Sequence, residues 1–218
     1  ALEYDMIGIS MTNTTPLMVP TYGSKAMIGS NPISFAAPTK RGSPFVLDIA
    51  TSLVSAGKFE VAIRKGEEIP QGWGMGRNDQ PTTDPVEARN TRKFFPLGGQ
   101  PNMASHKGYG LGVMVDILSG VLSGAGASVA LQGTSGHFFG ALRIDSFRSV
   151  DDFKDMMDGM CDDLRATPTL PGYDRVLVPG DKEFEAKEDR LRNGIPLYPD
   201  VVESLRMLSA ELAIPLEL

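Results

Sequence analysis

The segment Ser105-His-Lys-Gly-Tyr-Gly-Leu111 sets a weak base, His106, and a strong cation, Lys107, beside Gly108 and Gly110, then runs directly into the apolar stretch 112–124. Residues of these types suit an anionic ligand. Glycines let the backbone approach a phosphate or carboxylate closely, the amides of a first helical turn can donate to it, and the lysine adds a point charge. The same stretch also reads as a plain glycine-rich helix entry with Lys107 in solvent. Hydrolysis by Ser105 and His106 needs an orienting carboxylate that the sequence does not identify, and adjacency alone does not pair a nucleophile with its base. Asp48 is a second candidate, because it interrupts the apolar run 44–49 just before Ala50-Thr51-Ser52. A carboxylate there is either satisfied by nearby amides or lines a site. Thr12-Asn-Thr14 is a third, able to hold a turn or a ligand. His137, within an apolar segment, either points towards a site or reads as a hydrogen-bonded structural histidine, the second being the plainer reading.

Short strands and turns must position the first of these groups. Residues 6–11 and 44–49 read as strands, and Pro16, Pro20 and Pro32 exclude long regular elements between them. Residues 64–104 read as irregular, with Pro81 and Pro85 bracketing a turn in a rigid surface loop. A buried helix is expected over 108–124, because Leu111, Val113, Met114, Val115, Ile117, Leu118, Val121 and Leu122 cover most of its surface. Residues 136–144 then read as a strand crossing the core. Phe153, Met156, Met157, Met160, Cys161 and Leu164 follow helical spacing, with Ser149 and Asp152 as the capping pair, and read as a core stripe. Residues 175–178 read as a strand, 182–192 as an exposed helix, and Val201, Val202, Leu205 and Leu208 as the stripe of a last helix.

A chain of 218 residues, 41% hydrophobic, can bury a real core. Its net charge of −6 and lack of a long basic run argue against nucleic acid and anionic membranes as partners. Asp116, Ser119 and the bounding glycines argue against a membrane span over 112–124. Cys161 is the only cysteine, so no intrachain disulfide forms, and the thiol reads as buried. Gly72, Gly74 and Gly76 alternate around Trp73, and no G-x-G-x-x-G follows a strand, which argues against a standard Rossmann half.

Taken in order, Thr12-Asn-Thr14, Gly29-Ser-Asn-Pro32, Leu47-Asp-Ile-Ala-Thr-Ser52, Pro81-Thr-Thr-Asp-Pro85, Pro96-Leu-Gly-Gly99, His106-Lys-Gly-Tyr-Gly-Leu111, Gly136-His-Phe-Phe139 and Pro179-Gly180 resemble the malate/L-lactate dehydrogenase family that lacks a Rossmann fold. The resemblance runs over nearly the whole chain. It implies an α/β fold with a mixed sheet, incomplete at the N-terminus, with a cofactor-binding core over 1–180 and a helical segment over 181–218 packing on the N-terminal region or a partner chain. It further implies hydride transfer between NAD or NADP and a 2-oxo or 2-hydroxy acid in a homodimer, and the lack of a signal-like opening gives the cytoplasm as the expected compartment. By resemblance the cofactor falls to Asp48, Thr51, His106, Lys107, Gly108, Pro179, Gly180 and Asp181, and Asn13 and Thr14 lie near the substrate. Neither His106 nor His137 matches the family's catalytic histidine. A complementary N-terminal polypeptide is therefore expected to supply that histidine and an arginine for the substrate carboxylate. The alternative is a dinucleotide-binding or assembly subunit without catalysis. The spacer Gln100-Pro-Asn-Met-Ala-Ser105 is longer than the family's usual one.

Overall fold

Met6-Ile-Gly-Ile-Ser-Met sets Ile7, Ile9 and Met11 on one face against Gly8 and Ser10 on the other, and it forms β1 (Met6–Thr12) in the interior of a sheet. β2 (Ile33–Ala37), β3 (Phe45–Ile49) and β4 (His137–Arg143) complete it in the order β3-β2-β1-β4. This is a computed structural model, and it describes residues 1–216. All three ladders are antiparallel, so the mixed character expected of the sheet is confined to an isolated parallel bridge between Met18 and Phe94. β4 is an edge strand and does not cross the core: Phe139 is 75% exposed and Leu142 is also open to solvent.

The stretch before residue 64, for which the sequence suggests no element, contributes α1 (Ala56–Lys65), and the region 64–104, expected to be irregular, contributes α2 (Pro85–Thr91). They pack around a stack of Phe59 on Phe94 at 4.5 Å, with Trp73 edge-on to Phe59. Ala62, Ile69 and Ala88 fill in around the rings. α2 buries only Ala88, so it has no apolar stripe to betray it. Its start is fixed instead by Asp84, whose carboxylate accepts from the amides of Val86 (2.8 Å) and Glu87 (3.2 Å), with Pro85 preset for the first turn.

The long apolar helix begins earlier than expected, as α3 (Ser105–Val115), and widens into a π-helical stretch over Asp116–Val121. Only one side of it is buried. Val115, Asp116, Ser119 and Gly120 face inward, while Ile117, Val121 and Leu122 are exposed. Residues 175–178 form no strand; just beyond them, Pro179 O accepts from the amide of Val46 on β3 at 3.1 Å.

α4 (Val150–Arg165) starts at Ser149, whose Oγ accepts from the amide of Asp152, as the capping pair predicts. The expected methionine core stripe is divided. Cys161 is buried, but Met156, Met160 and Leu164 are exposed, because polar contacts fix the helix's inward face. Asp158 is buried and accepts from the amides of Lys40 (3.1 Å) and Arg41 (3.3 Å) and from Arg41 Nε (3.0 Å). Lys40–Asp155, Arg41–Asp162 and Lys154–Asp5 ion pairs complete the clamp on the strand ends. Burial alone would raise the Asp158 pKa, but the Arg41 amide and guanidinium and the Lys40 amide outweigh it and hold the carboxyl below its ordinary value.

A carboxyl depressed in the folded state stabilises above its unfolded pKa, near 3.9, and loses that contribution as pH falls through the folded value. Asp158→Asn is therefore expected to cost about 1.5 kcal/mol or more at neutral pH, the loss of a charge-assisted hydrogen bond. It should also flatten the decline in stability below about pH 4. Urea midpoints across pH for both proteins check this, and parallel acid limbs would refute it.

Two compact units are present, Ala1–Gly180 and a second from Asp181 onward. The second contains α5 (Asp181–Asn193) and α6 (Pro199–Leu212), close to the helices expected at those positions. Among the described residues no helix is long and apolar enough to cross a membrane, and no His, Cys, Asp and Glu cluster could hold a metal ion.

Candidate functional site

Of the residues singled out in the sequence, Asp48 lies on β3, Pro179 is bonded to it, and α3 is bonded to the loop that follows it. Asp48 stands exposed, in register with Ser34 of β2, which is in turn opposite Ser10 of β1. Just beyond the strand, Thr51 donates its amide (2.8 Å) and its hydroxyl (3.0 Å) to Ser30 O, while its own carbonyl accepts from Leu97 N at 2.8 Å. Leu97 O then accepts from the amide of Gly108 at 3.1 Å, which stitches the first turns of α3 to the end of β3. At the other end of β3, Val46 holds Pro179, the exposed residue before the buried Gly180. Asp181 opens α5 in the second unit.

These contacts separate groups that can reach a ligand from groups that position them. His106 and Lys107 are exposed on the first turn of α3, and Asp48 is exposed on β3. Thr51 is fully buried and its hydroxyl proton is already committed, so it fixes the loop after β3. Gly108 does not sit in a mobile loop around an anion. It lies inside α3, its amide is taken by Leu97, and a Cβ there would overlap the Leu97 backbone. Lys107 N likewise donates to Ala104 O at 3.1 Å. The anion-binding capacity of the segment thus rests on side chains more than on first-turn amides.

Ser105 is buried, and its Oγ pairs with Thr21 Oγ1 at 3.1 Å. A hydroxyl held in that way is not presented as a nucleophile. His137 is exposed, with Nδ1 at 2.9 Å from Thr12 Oγ1, which agrees with its reading as a hydrogen-bonded histidine.

Asn13 is completely enclosed. Its Nδ2 donates to Asp116 Oδ1 and to Gly126 O, both at 2.9 Å, and its Oδ1 accepts from Gly136 N at 2.8 Å. Both of its donors are spent within the protein and its oxygen is enclosed, so Asn13 itself offers a substrate nothing and instead sets the turn that carries Thr14. The Thr14 amide donates to Asn31 Oδ1 at 3.0 Å, and the Thr14 hydroxyl is buried without a hydrogen-bond partner. Asn31 Nδ2 reaches Gly112 O at 2.9 Å, tying this turn to α3.

The centre of this network escaped the sequence reading as a functional feature. Asp116, 7% exposed, accepts from Asn13, from the Ser128 amide through both oxygens (3.0 and 3.1 Å) and from Ser128 Oγ at 3.0 Å. It joins the β1 exit, the π-helical stretch and the loop at 126–128. Gly120 allows this approach, since a Cβ there would overlap Asn13 Nδ2 and Gly126 O. The available signal was a lone carboxylate in an apolar helix, which must be paired if it is buried.

The family model for malate/L-lactate dehydrogenases matches residues 1–206. A malate dehydrogenase of Pyrococcus abyssi is 43% identical over 221 residues, covering 98% of this chain and 61% of that protein. A ureidoglycolate dehydrogenase (NAD(+)) of Escherichia coli K12 is 32% identical over 214 residues, covering 94% of this chain and 59% of that protein. The solved malate dehydrogenase of Entamoeba histolytica superposes with a TM-score of 0.94 at 31% identity, covering 100% of this chain and 64% of that one. The chain thus spans about three-fifths of the length of the curated relatives it matches. With the family model covering nearly all of the chain and the α/β framework superposing throughout, this chain belongs to the malate/L-lactate dehydrogenase family.

Proposed function

We propose that this chain is the nicotinamide-binding portion of an oxidoreductase that transfers hydride between NAD(P)H and a 2-oxo or 2-hydroxy acid. The observation that carries the reading is the exposure of Asp48, His106, Lys107 and Pro179 on segments bonded to β3 or to the loop after it, within a chain of this family. Their chemistry fits a dinucleotide: a cation for phosphate and a carboxylate to accept from ribose hydroxyls. A bound nicotinamide supplies or takes the hydride, while the residues of this chain bind and orient it. Gly180 and Asp181 extend that set by resemblance, and Thr14 lies towards the substrate.

The acid or base that moves the substrate proton, and the cation for the substrate carboxylate, come in this reading from a complementary N-terminal polypeptide. Hydride transfer needs both beside the nicotinamide. The assembled unit acts as a homodimer in the cytoplasm. The E. coli relative bears NAD(+) in its name, which favours a nicotinamide cofactor without choosing between NAD and NADP.

Lys107→Ala is expected to weaken NAD(P)H binding by about 1.5–3 kcal/mol, the value of a charge-assisted hydrogen bond. Lys107→Arg should restore only part of it, because a forked guanidinium does not overlay an ammonium. Fluorescence titration of the assembled protein with NADH and NADPH measures both. Unchanged dissociation constants with an intact fold would remove Lys107 from the site.

A further inference from the structure

A cavity of about 250 Å3 is lined by none of Asp48, His106, Lys107 and Pro179. The buried cluster of Val19, Met75 and Phe95 contributes its apolar lining. Pro20, Pro81, Pro96 and Pro101 join that lining from four separate stretches of chain. Polar groups enter it at Ser105, which is 1% exposed and has its Oγ 3.1 Å from Thr21 Oγ1, and at the side-chain amide of Gln100.

We propose that this cavity binds a neutral, flat nitrogen heterocycle of the nucleobase type, its faces against the prolines and its edge bonded by the Ser105–Thr21 hydroxyls and Gln100, at a site separate from the dinucleotide-binding groups. Charge argues for neutrality. Among the described residues of the lining Asp79 is the one charged side chain, and it is paired with Lys93. A carboxylate or phosphate would lose its hydration there and find no free cation in return. The cavity therefore disfavours both 2-oxo acids and dinucleotide phosphates.

Shape and hydrogen bonding argue for a ring. Pockets for drug-sized ligands run from about 300 to 1,000 Å3, so this smaller one suits a single ring system. Prolines have no N–H, which leaves the bonding to the hydroxyls and the amide. Two hydroxyls carry two protons, and the Ser105–Thr21 bond uses one of them. The pair keeps a donor and free lone pairs, and Gln100 offers a donor and an acceptor as well. A base edge such as that of adenine sets a donor beside an acceptor, and its π-faces suit apolar walls.

The backbone around the cavity is held in place at some cost. Tyr22 (φ 67°) and Asp79 (φ 59°), both in the lining, adopt the left-handed region, as does Ala104 (φ 73°) just before Ser105. Non-glycine residues rarely adopt it, and such positions cluster at ligand clamps. Separation from the dinucleotide-binding groups follows from helical geometry. α3 turns by about 100° per residue, which carries Lys107 to the side of the helix opposite Ser105.

The test is a titration of the chain with adenine, followed by methyl NMR of its methionines. Met75 reports from the cavity, while exposed Met156 and Met160 serve as controls. The Met75 signal, identified by its loss in Met75→Leu, should move saturably while the controls stay still. Gln100→Ala and Thr21→Val should each weaken adenine binding roughly three- to tenfold, the worth of a neutral hydrogen bond. Benzoate, a ring that carries a carboxylate, should bind roughly tenfold more weakly than adenine or worse. Lys107→Ala and saturating NADH should leave adenine affinity unchanged. Four results would overturn the proposal: a Met75 signal that stays still up to the solubility of adenine, benzoate as tight as adenine, full affinity in Gln100→Ala, or displacement of adenine by NADH. Failure of NADH to bind at all would remove the dehydrogenase reading and leave this site standing.

Discussion

Asp116→Ala should lower the free energy of unfolding by about 3–5 kcal/mol, because it strips the acceptor from several enclosed donors at once. Asn13 Nδ2 keeps Gly126 O, but the Ser128 amide loses both carboxylate oxygens and the Ser128 hydroxyl loses its acceptor. Each stranded donor costs roughly 1–3 kcal/mol, and the sum is tempered because the donors share one site and relax together. Asp116→Asn should cost less, since its remaining carbonyl oxygen still accepts, while its new amide group faces donors. Urea denaturation of the two variants beside the wild type gives the values. A midpoint for Asp116→Ala within experimental error of the wild type would show that the network is dispensable.

Catalysis should divide between polypeptides even more sharply. The purified chain is expected to leave NADH unoxidised with pyruvate, oxaloacetate or cyclic imino acids. Addition of the complementary N-terminal polypeptide should raise turnover by a factor on the order of 10²–10⁴ for the proton-transferring group alone. Orientation of the substrate carboxylate would add to that. Nicotinamide absorbance followed by stopped flow, with intact-mass analysis of the sample, settles the matter. Robust turnover by the chain with no second polypeptide present would overturn the division and bring His106 or His137 forward as the acid. Cofactor binding without turnover in either sample would favour a dinucleotide-binding subunit instead.

Periodicity made several elements legible, and the reason is local. β1 and β3 are bounded runs of apolar residues, and the start of α4 is announced by Ser149 with an acidic residue three positions later. Motif order carried the family assignment, because the spacing of Thr12-Asn-Thr14, Leu47-Asp-Ile-Ala-Thr-Ser52 and His106-Lys-Gly-Tyr-Gly-Leu111 is a property of the chain alone. α2 was illegible for the opposite reason. Its two turns depend on one capping carboxylate and bury a single alanine.

The amino-acid sequence by itself determined which residues are chemically able to act and which family they belong to. Only the tertiary structure decided which of them can reach a ligand. Thr51 and Asn13 are polar in any sequence, but their hydrogen-bonding atoms are consumed by Ser30, Asp116, Gly126 and Gly136, residues up to 123 positions away. Gly108 resembles a ligand-binding glycine until Leu97 occupies the space its missing Cβ leaves. Met156 and Met160 share a helical stripe with Cys161, yet the Asp158 clamp turns them outward. A side chain's type sets what it can do, whereas its reach depends on which distant backbone and side-chain groups have already claimed its atoms, and contacts of that range leave no periodic signal along the chain.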